Sequence, residues 1–186
     1  MDELIQAFNI QRCSKAGAKF DYEKGKWFNH QYMLLKDNME LAATLLPELQ
    51  AKGIETTQAY VAEVLALVKG RMNFLHEFWA NAAYFFQAPQ SYDEKTVSKR
   101  WKDVSAMQMG ELEAILQADD FSDMAALEAK VAAWCEEKAY GMGVPMNAFR
   151  LALVGEGKGP HIFDITRLIG KAETLQRLRR CVEVLG

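Results

Sequence analysis

Cysteine, histidine and proline are scarce in this sequence, and long apolar runs are missing altogether. The three cysteines, Cys13, Cys135 and Cys181, lie far apart and form no C-x-x-C pair, so they fit neither a disulfide framework nor a zinc site and read as buried, reduced thiols. His30, His76 and His161 are the three histidines, and none stands in an H-E-x-x-H or E-x-x-H arrangement that would put two ligands on one helical face. No metal centre is expected. No run of about 18 consecutive apolar residues occurs, and "MDELIQAFNIQRC" has no basic start followed by an apolar stretch. Neither a membrane span nor a signal peptide is expected, which leaves the cytoplasm as the compartment and no membrane among the partners.

Catalytic patterns are equally thin. "GEGKGP", from Gly155 to Pro160, has glycines and a lysine but not the G-x-x-x-x-G-K-[ST] spacing, and no strand precedes it, so it reads as a turn. Carboxylates are plentiful, yet no partner is spaced to turn a pair of them into acid and base. The chain is expected to hold no catalytic residue and to bind no cofactor by itself.

What is present is a helical protein's composition. Half of the 186 residues are apolar and a quarter are charged, as in a globular protein with a substantial core. In "DNMELAATLLPELQAKG" the apolar residues fall near helical spacing, with Asp37 as a cap, Gly53 as a stop and Pro47 expected to bend or divide the helix. "TTQAYVAEVLALVKG" repeats the pattern behind Thr56 or Thr57. "RMNFLHEFWANAAYFF" reads as an aromatic-rich core helix, "DEKTVSKRWKDV" and "GELEAILQA" as shorter helices, and "MAALEAKVAAWCEEKAYG" as a longer one with Leu127, Val131, Trp134 and Cys135 on one side. "NAFRLALVG", "HIFDITRLIG" and "KAETLQRLRRCVEVLG" close the chain. The expected fold class is all-α, and the junction near residues 87–93 divides two small helical subdomains.

Charge is unevenly spread. The net charge of −3 argues against binding nucleic acid by bulk electrostatics, and DNA is not an expected partner. Locally the balance differs: from Arg12 to Lys36 six Lys/Arg face Asp21 and Glu23, whereas from Glu111 to Glu137 eight carboxylates face Lys130. That acidic middle is either a solvated helix face or a docking surface. Within the basic part, "KFDYEKGKWFNHQY" interleaves Phe20, Tyr22, Trp27, Phe28 and Tyr32 with Lys19, Lys24, Lys26 and His30. Rings beside cations suit a surface that meets a phosphate backbone.

Four blocks, "SKAGAKFDYEKGKWFNHQY", "VKGRMNFLHEF", "AYFFQAPQSYDEK" and "NAFRLALVGEGKGPHIFDITRLIGKAETLQRLRR", resemble in order and spacing the C-terminal portion of the bacterial glutamyl-tRNA synthetase family. The resemblance covers nearly the whole chain. That family's His-Ile-Gly-His and Lys-Met-Ser-Lys type motifs, which belong to its ATP- and magnesium-dependent catalytic half, are absent, and "CSKAG" does not stand in for the second. The resemblance therefore implies a stem-contact segment (1–36) followed by an anticodon-binding region of two helical subdomains (37–90 and 91–186), with glutamate tRNA as partner and a monomeric chain that is inactive in isolation.

It also implies roles. Lys24, Lys26, Trp27 and Asn29 match the stem-contact element, where the lysines would neutralise phosphates, Asn29 would reach 2′-hydroxyls and the rings would pack the helix onto the body. Gly25 and Gly70 depart from the larger residues usual at those positions. Arg71 matches the arginine implied in reading the third anticodon base, and Arg150, Gly159, Pro160, Ile162 and Phe163 match the region implied to hold the first two. There Pro160 and Ile162 would give an apolar platform, with Phe163 either platform or core. The competing reading is a helical protein-interaction module without an RNA role.

Overall fold

The computed structural model describes residues 1–12, 17 and 19–186, the side chain of Arg12 excepted, so the reading of Cys13 lies outside the described residues. Among the described residues all regular structure is helical. Ten α-helices run α1 (Asp2–Ala7), α2 (Tyr22–Leu35), α3 (Asn38–Ala51), α4 (Gln58–Val68), α5 (Phe78–Ala82), α6 (Glu94–Arg100), α7 (Ser105–Ala118), α8 (Met124–Glu137), α9 (Gly143–Val154) and α10 (Ile162–Leu185). No helix among the described residues is long and apolar enough to cross a membrane.

Local chemistry explains most of the boundaries. Asp37 accepts from the amides of Met39 (2.8 Å) and Glu40 (3.2 Å) to start α3, and Thr57 accepts from Tyr60 (3.2 Å) to start α4. Asp93 takes the Thr96 amide (2.8 Å) and Asp123 the Ala126 amide (3.0 Å), opening α6 and α8. Each such cap contributes about 1 kcal/mol by satisfying a donor the helix leaves orphaned. Pro47 does not divide α3, which is helical through Ala51. The helix expected at "GELEAILQA" begins earlier, at Ser105. Ser105, Met109, Leu112 and Leu116 are buried at helical spacing, so burial of that face carries the pattern across Gly110.

One expected helix is broken into pieces. The aromatic run after Arg71 forms a 3₁₀ turn (Leu75–Glu77), α5, and a second 3₁₀ turn (Ala83–Phe85). Glu77 folds back to accept from the Asn73 amide at 2.8 Å, and Tyr60 donates its hydroxyl to the Phe85 carbonyl at 2.9 Å. These bonds take backbone groups that a continuous helix would have paired internally.

A single cluster of buried residues extends from Met33 to Leu178. Phe78 and Phe149 are its largest fully buried side chains, 1% and 0% exposed. Burying each stabilises the fold by about 1.5–3 kcal/mol. α3 packs on α4, and α7, α9 and α10 pack together. Gly170 (φ 80°, ψ 166°) breaks α10 into two helices laid end to end. Cys135 and Cys181 are free and buried, and burial pushes the Cys181 thiol up to about 12.

Much of the acidic middle is engaged rather than merely solvated. Glu113 pairs with Arg179 at 2.7 Å, Asp119 with Lys130 at 2.6 Å, and Glu128 lies 3.2 Å from His161. Glu111 accepts from the Trp134 indole at 2.9 Å and from Lys138 and Tyr140 at 3.4 Å. The indole bond first, and then the Lys138 ammonium, hold the Glu111 carboxyl below the usual carboxylate range.

A carboxylate whose folded pKa is depressed adds stability above its unfolded value, about 4.3. That contribution is lost as pH falls through the lower folded value. Glu111→Gln should therefore lower the melting temperature at pH 7 and flatten its decline between pH 5 and 3, as read by thermal unfolding across that range. An unchanged acid slope would remove Glu111 from the account.

Candidate nucleic-acid interface

Arg71 stands at the end of a short 3₁₀ turn (Lys69–Arg71) that continues α4. Val68 and Met72 on either side of it are fully buried and clamp the turn, which leaves the Arg71 side chain exposed. α2 holds the segment from outside: the His30 ring lies 2.6 Å from the Met72 carbonyl, Asn29 donates its side-chain amide to the Asn73 carbonyl, and Lys69 donates to the Lys36 carbonyl at 2.9 Å. Among the described residues Arg71 has no hydrogen-bond or ion-pair partner. Its five donors remain available.

Arg150 comes from α9 and is half-buried. Its Nη1 donates to the Pro160 carbonyl at 2.7 Å, so the guanidinium braces the turn that follows α9. That turn is built on two glycines. At Gly155 (φ 82°), the cap of α9, a Cβ would sit 2.7 Å from Pro89 Cβ and 2.8 Å from the Ser91 carbonyl oxygen. At Gly159 (φ 133°) a Cβ would sit 3.2 Å from Arg150 Nη1 and 3.4 Å from the Tyr84 hydroxyl. The missing side chain is what lets those two groups converge.

Electrostatics ties the three residues together. Burial pushes the Tyr84 phenol up to about 12, while the Arg71 and Arg150 guanidiniums act to lower it and Glu156 to raise it. Burial likewise lowers the pKa of Arg150, Tyr84 opposes that shift, and Arg71 adds to it by like-charge repulsion. The Tyr84 phenol, so raised, stays protonated at neutral pH beside the Arg150 guanidinium. Neither arginine is neutralised by a carboxylate within ion-pair distance among the described residues.

Other expected site residues fall elsewhere. Ile162 and Phe163 are 4% and 3% exposed and belong to the core, and Pro160 is buried too. Their side chains have no open face for a base, so the apolar platform is not where the sequence placed it. Lys158 in the same turn is exposed and paired with Glu156 at 3.3 Å. On α2 the correction runs the other way: Phe20 (80%), Trp27 (56%) and Phe28 (45%), expected to pack the helix onto the body, are exposed. Anchorage falls to Asn29, His30 and the buried Met33, and the Asn29 amide is committed to Asn73 rather than open to a ribose. Lys24 lies over the Phe28 ring at 5.9 Å, and Lys26 over the Tyr22 ring at 4.6 Å while paired with Glu23 at 3.0 Å. α2 runs unbroken through Gly25, whose lack of a side chain admits the Phe20 ring within 3.1 Å of where a Cβ would be.

Tyr84 was missed because it lies inside a run read as core helix, and it is indeed 8% exposed. Arg177 was missed as well. It is 3% exposed, and helical spacing already aligns it with Thr174, Leu178 and Cys181 on the buried side of α10.

The fold is that of an all-helical domain with two arginines left without carboxylate partners among the described residues. A model of the family described as "Anticodon binding domain" matches residues 39–182, and the chain belongs to that family. Among curated relatives, the glutamate–tRNA ligase of Parabacteroides distasonis is 54% identical over 185 residues and that of Porphyromonas gingivalis 55% over 186. The chain is covered completely in each case and spans 37% of the relative's length. Its structure is similar to that of a glutamate tRNA ligase from Elizabethkingia meningosepticum in complex with its amino acid, with a TM-score of 0.92 and 35% identity over all of this chain and 37% of that one.

The glycine geometry is testable at once. Gly159→Ala should cost about 1–3 kcal/mol, because φ 133° is a conformation L side chains resist and the new methyl crowds Arg150. Gly155→Ala should cost more, since its Cβ meets Pro89 and the Ser91 backbone below 3 Å. Urea titration of the two variants ranks them, and the reverse order would show that the turn relaxes freely.

Proposed function

We propose that this chain is the tRNA-reading part of a glutamate–tRNA ligase and that it recognises the anticodon of glutamate tRNA. In this reading the ATP- and magnesium-dependent attachment of glutamate belongs to the portion of the relatives' length that the chain does not span. The observation that carries the proposal is the approach of Arg150 and the Tyr84 hydroxyl at Gly159, with the Arg71 charge acting on both and neither guanidinium ion-paired to a carboxylate among the described residues.

The chemistry is one of matching lone pairs to hydrogens. A guanidinium carries donors only, in a planar fork, and the pairing edge of cytosine presents two adjacent acceptors that the fork meets in two bonds. Guanine presents donors on the corresponding edge, which an arginine cannot satisfy. Arg71, exposed and unpartnered, is the group placed to make that distinction at the third anticodon position, where glutamate tRNAs carry cytosine and glutamine tRNAs guanine. Arg150 and the backbone of residues 155–161 would serve the first two bases, with Gly159 keeping the approach open.

α2 supplies the second contact. Lys24 and Lys26 stand among exposed rings, and their charge would neutralise phosphates of the tRNA stem while Trp27 and Phe28 offer flat faces. The corresponding division is a stem-contact segment over 1–36 and two helical parts over 37–90 and 91–186. The family match speaks against a helical interaction module without an RNA role.

The chain should bind an RNA hairpin carrying the anticodon loop of glutamate tRNA with an affinity that falls as salt rises, because each phosphate contact releases counterions. A forked contact of this kind discriminates by about 1–3 kcal/mol, so cytosine at the third position should be preferred over guanine by about 5- to 150-fold. Arg71→Ala should abolish that preference and leave thermal stability unchanged, as measured by titration of both hairpins and by melting. A preference that survives the substitution would remove Arg71 from the reading.

A further inference from the structure

Arg177 makes no contact with the exposed region, yet its bonds reach both elements that build it. Its Nη1 donates to the Tyr84 carbonyl at 2.6 Å and to the Leu153 carbonyl at 2.8 Å, and its Nε donates to Glu173 at 2.7 Å. Tyr84 lies in the 3₁₀ turn that presents its own hydroxyl beside Gly159. Leu153 lies one helical turn beyond Arg150 on α9, in the last turn, where carbonyls have no partner within the helix. One nitrogen therefore holds an orphan carbonyl from each of two elements, and its two hydrogens set the distance between them.

We propose that Arg177 is a positioning residue for base discrimination: by binding the Tyr84 and Leu153 carbonyls through a single Nη1, it fixes the spacing between the Tyr84 turn and the helix that carries Arg150. The inference rests on the anticodon reading above and adds to it a buried group that never touches RNA. Other bonds do not duplicate the link. Tyr60 holds Phe85 from α4, and the Arg167–Glu63 pair, 2.9 Å long, joins two side chains that are both about half exposed. Among the described residues, only the Arg177 bonds join the backbone of the Tyr84 turn to that of α9. Lysine would keep the charge but not the geometry, because a tetrahedral ammonium on a shorter reach cannot occupy the Nε and Nη1 positions together.

The test compares the intact chain with Arg177→Lys, titrating hairpins with cytosine or guanine at the third anticodon position. The expected result is a cooperatively folded variant whose cytosine preference has fallen at least fivefold, mostly through weaker binding of the cytosine hairpin. A double-mutant cycle with Arg71→Ala should be non-additive, since a displaced partner surface blunts what Arg71 can contribute. A purely structural role would weaken both hairpins alike and leave their ratio intact, and that outcome overturns the proposal. Should Arg177→Lys fail to fold, Glu173→Ala decides. It keeps the guanidinium while removing the Nε acceptor, and it should reduce the preference in the same direction; an unchanged ratio there overturns the proposal too. Absence of any cytosine preference in the parent chain would instead defeat the anticodon reading itself, and this inference with it.

Discussion

A helix buried on nearly every side cannot leave its terminal carbonyls unpaired, and α9 is such a helix. From Ala148 to Leu153 five of its side chains are fully excluded from solvent, namely Ala148, Phe149, Leu151, Ala152 and Leu153. An unsatisfied polar group in that setting costs about 1–3 kcal/mol, so each must be met by something. Arg177 meets the Leu153 carbonyl, Gly155 turns the chain to return its own amide to Leu151 at 2.8 Å, and the Gly155 carbonyl receives the Asp93 amide at 2.8 Å. The turn that follows α9 is shaped by these obligations. Arg150, half in and half out of the same helix, is carried to the edge of the turn as a consequence.

The two arginines of the exposed region differ because their supports differ. Arg71 rides on a 3₁₀ turn between two buried residues and spends none of its hydrogens on the protein. Arg150 spends one on Pro160 and is partly desolvated, which lowers its pKa without discharging it. Placing two cations and a buried phenol together, with no carboxylate paired to either cation, stores unsatisfied donor capacity at one place. A ligand rich in lone pairs relieves it. The carboxylates of the acidic middle take part in a different economy of bonds, since Glu111, Glu113 and Asp119 are occupied by Trp134, Arg179 and Lys130. Negative charge is thereby tied up within the structure.

α2 shows a comparable division between anchoring and exposed groups. Asn29, His30 and Met33 face the body, while Phe20, Tyr22, Trp27 and Tyr32 are open to solvent beside Lys24 and Lys26. Rings in that position cost free energy unless something covers them. The tie from α2 to Met72 and Asn73 also means that the helix and the Arg71 turn share one support.

Helical class, the caps of α3 and α4 and the break at Gly170 were legible in the sequence, because they depend on neighbours within a few residues: Asp37 and Thr57 act on amides two or three positions ahead. Arg71 and Arg150 were legible as candidates because their surrounding blocks match a family. The surroundings of Arg150 were not, for they depend on Tyr84, Arg177 and the space left at Gly159, which meet only when α9 and α10 pack. Burial was the other decision left to packing. The resemblance implied a platform at Ile162 and rings that pack α2 onto the body, whereas Ile162 is buried and Trp27 exposed, because an apolar side chain faces inward or outward according to which neighbour covers it. Short-range hydrogen bonding is written along the chain, whereas solvent exclusion belongs to the assembled helices.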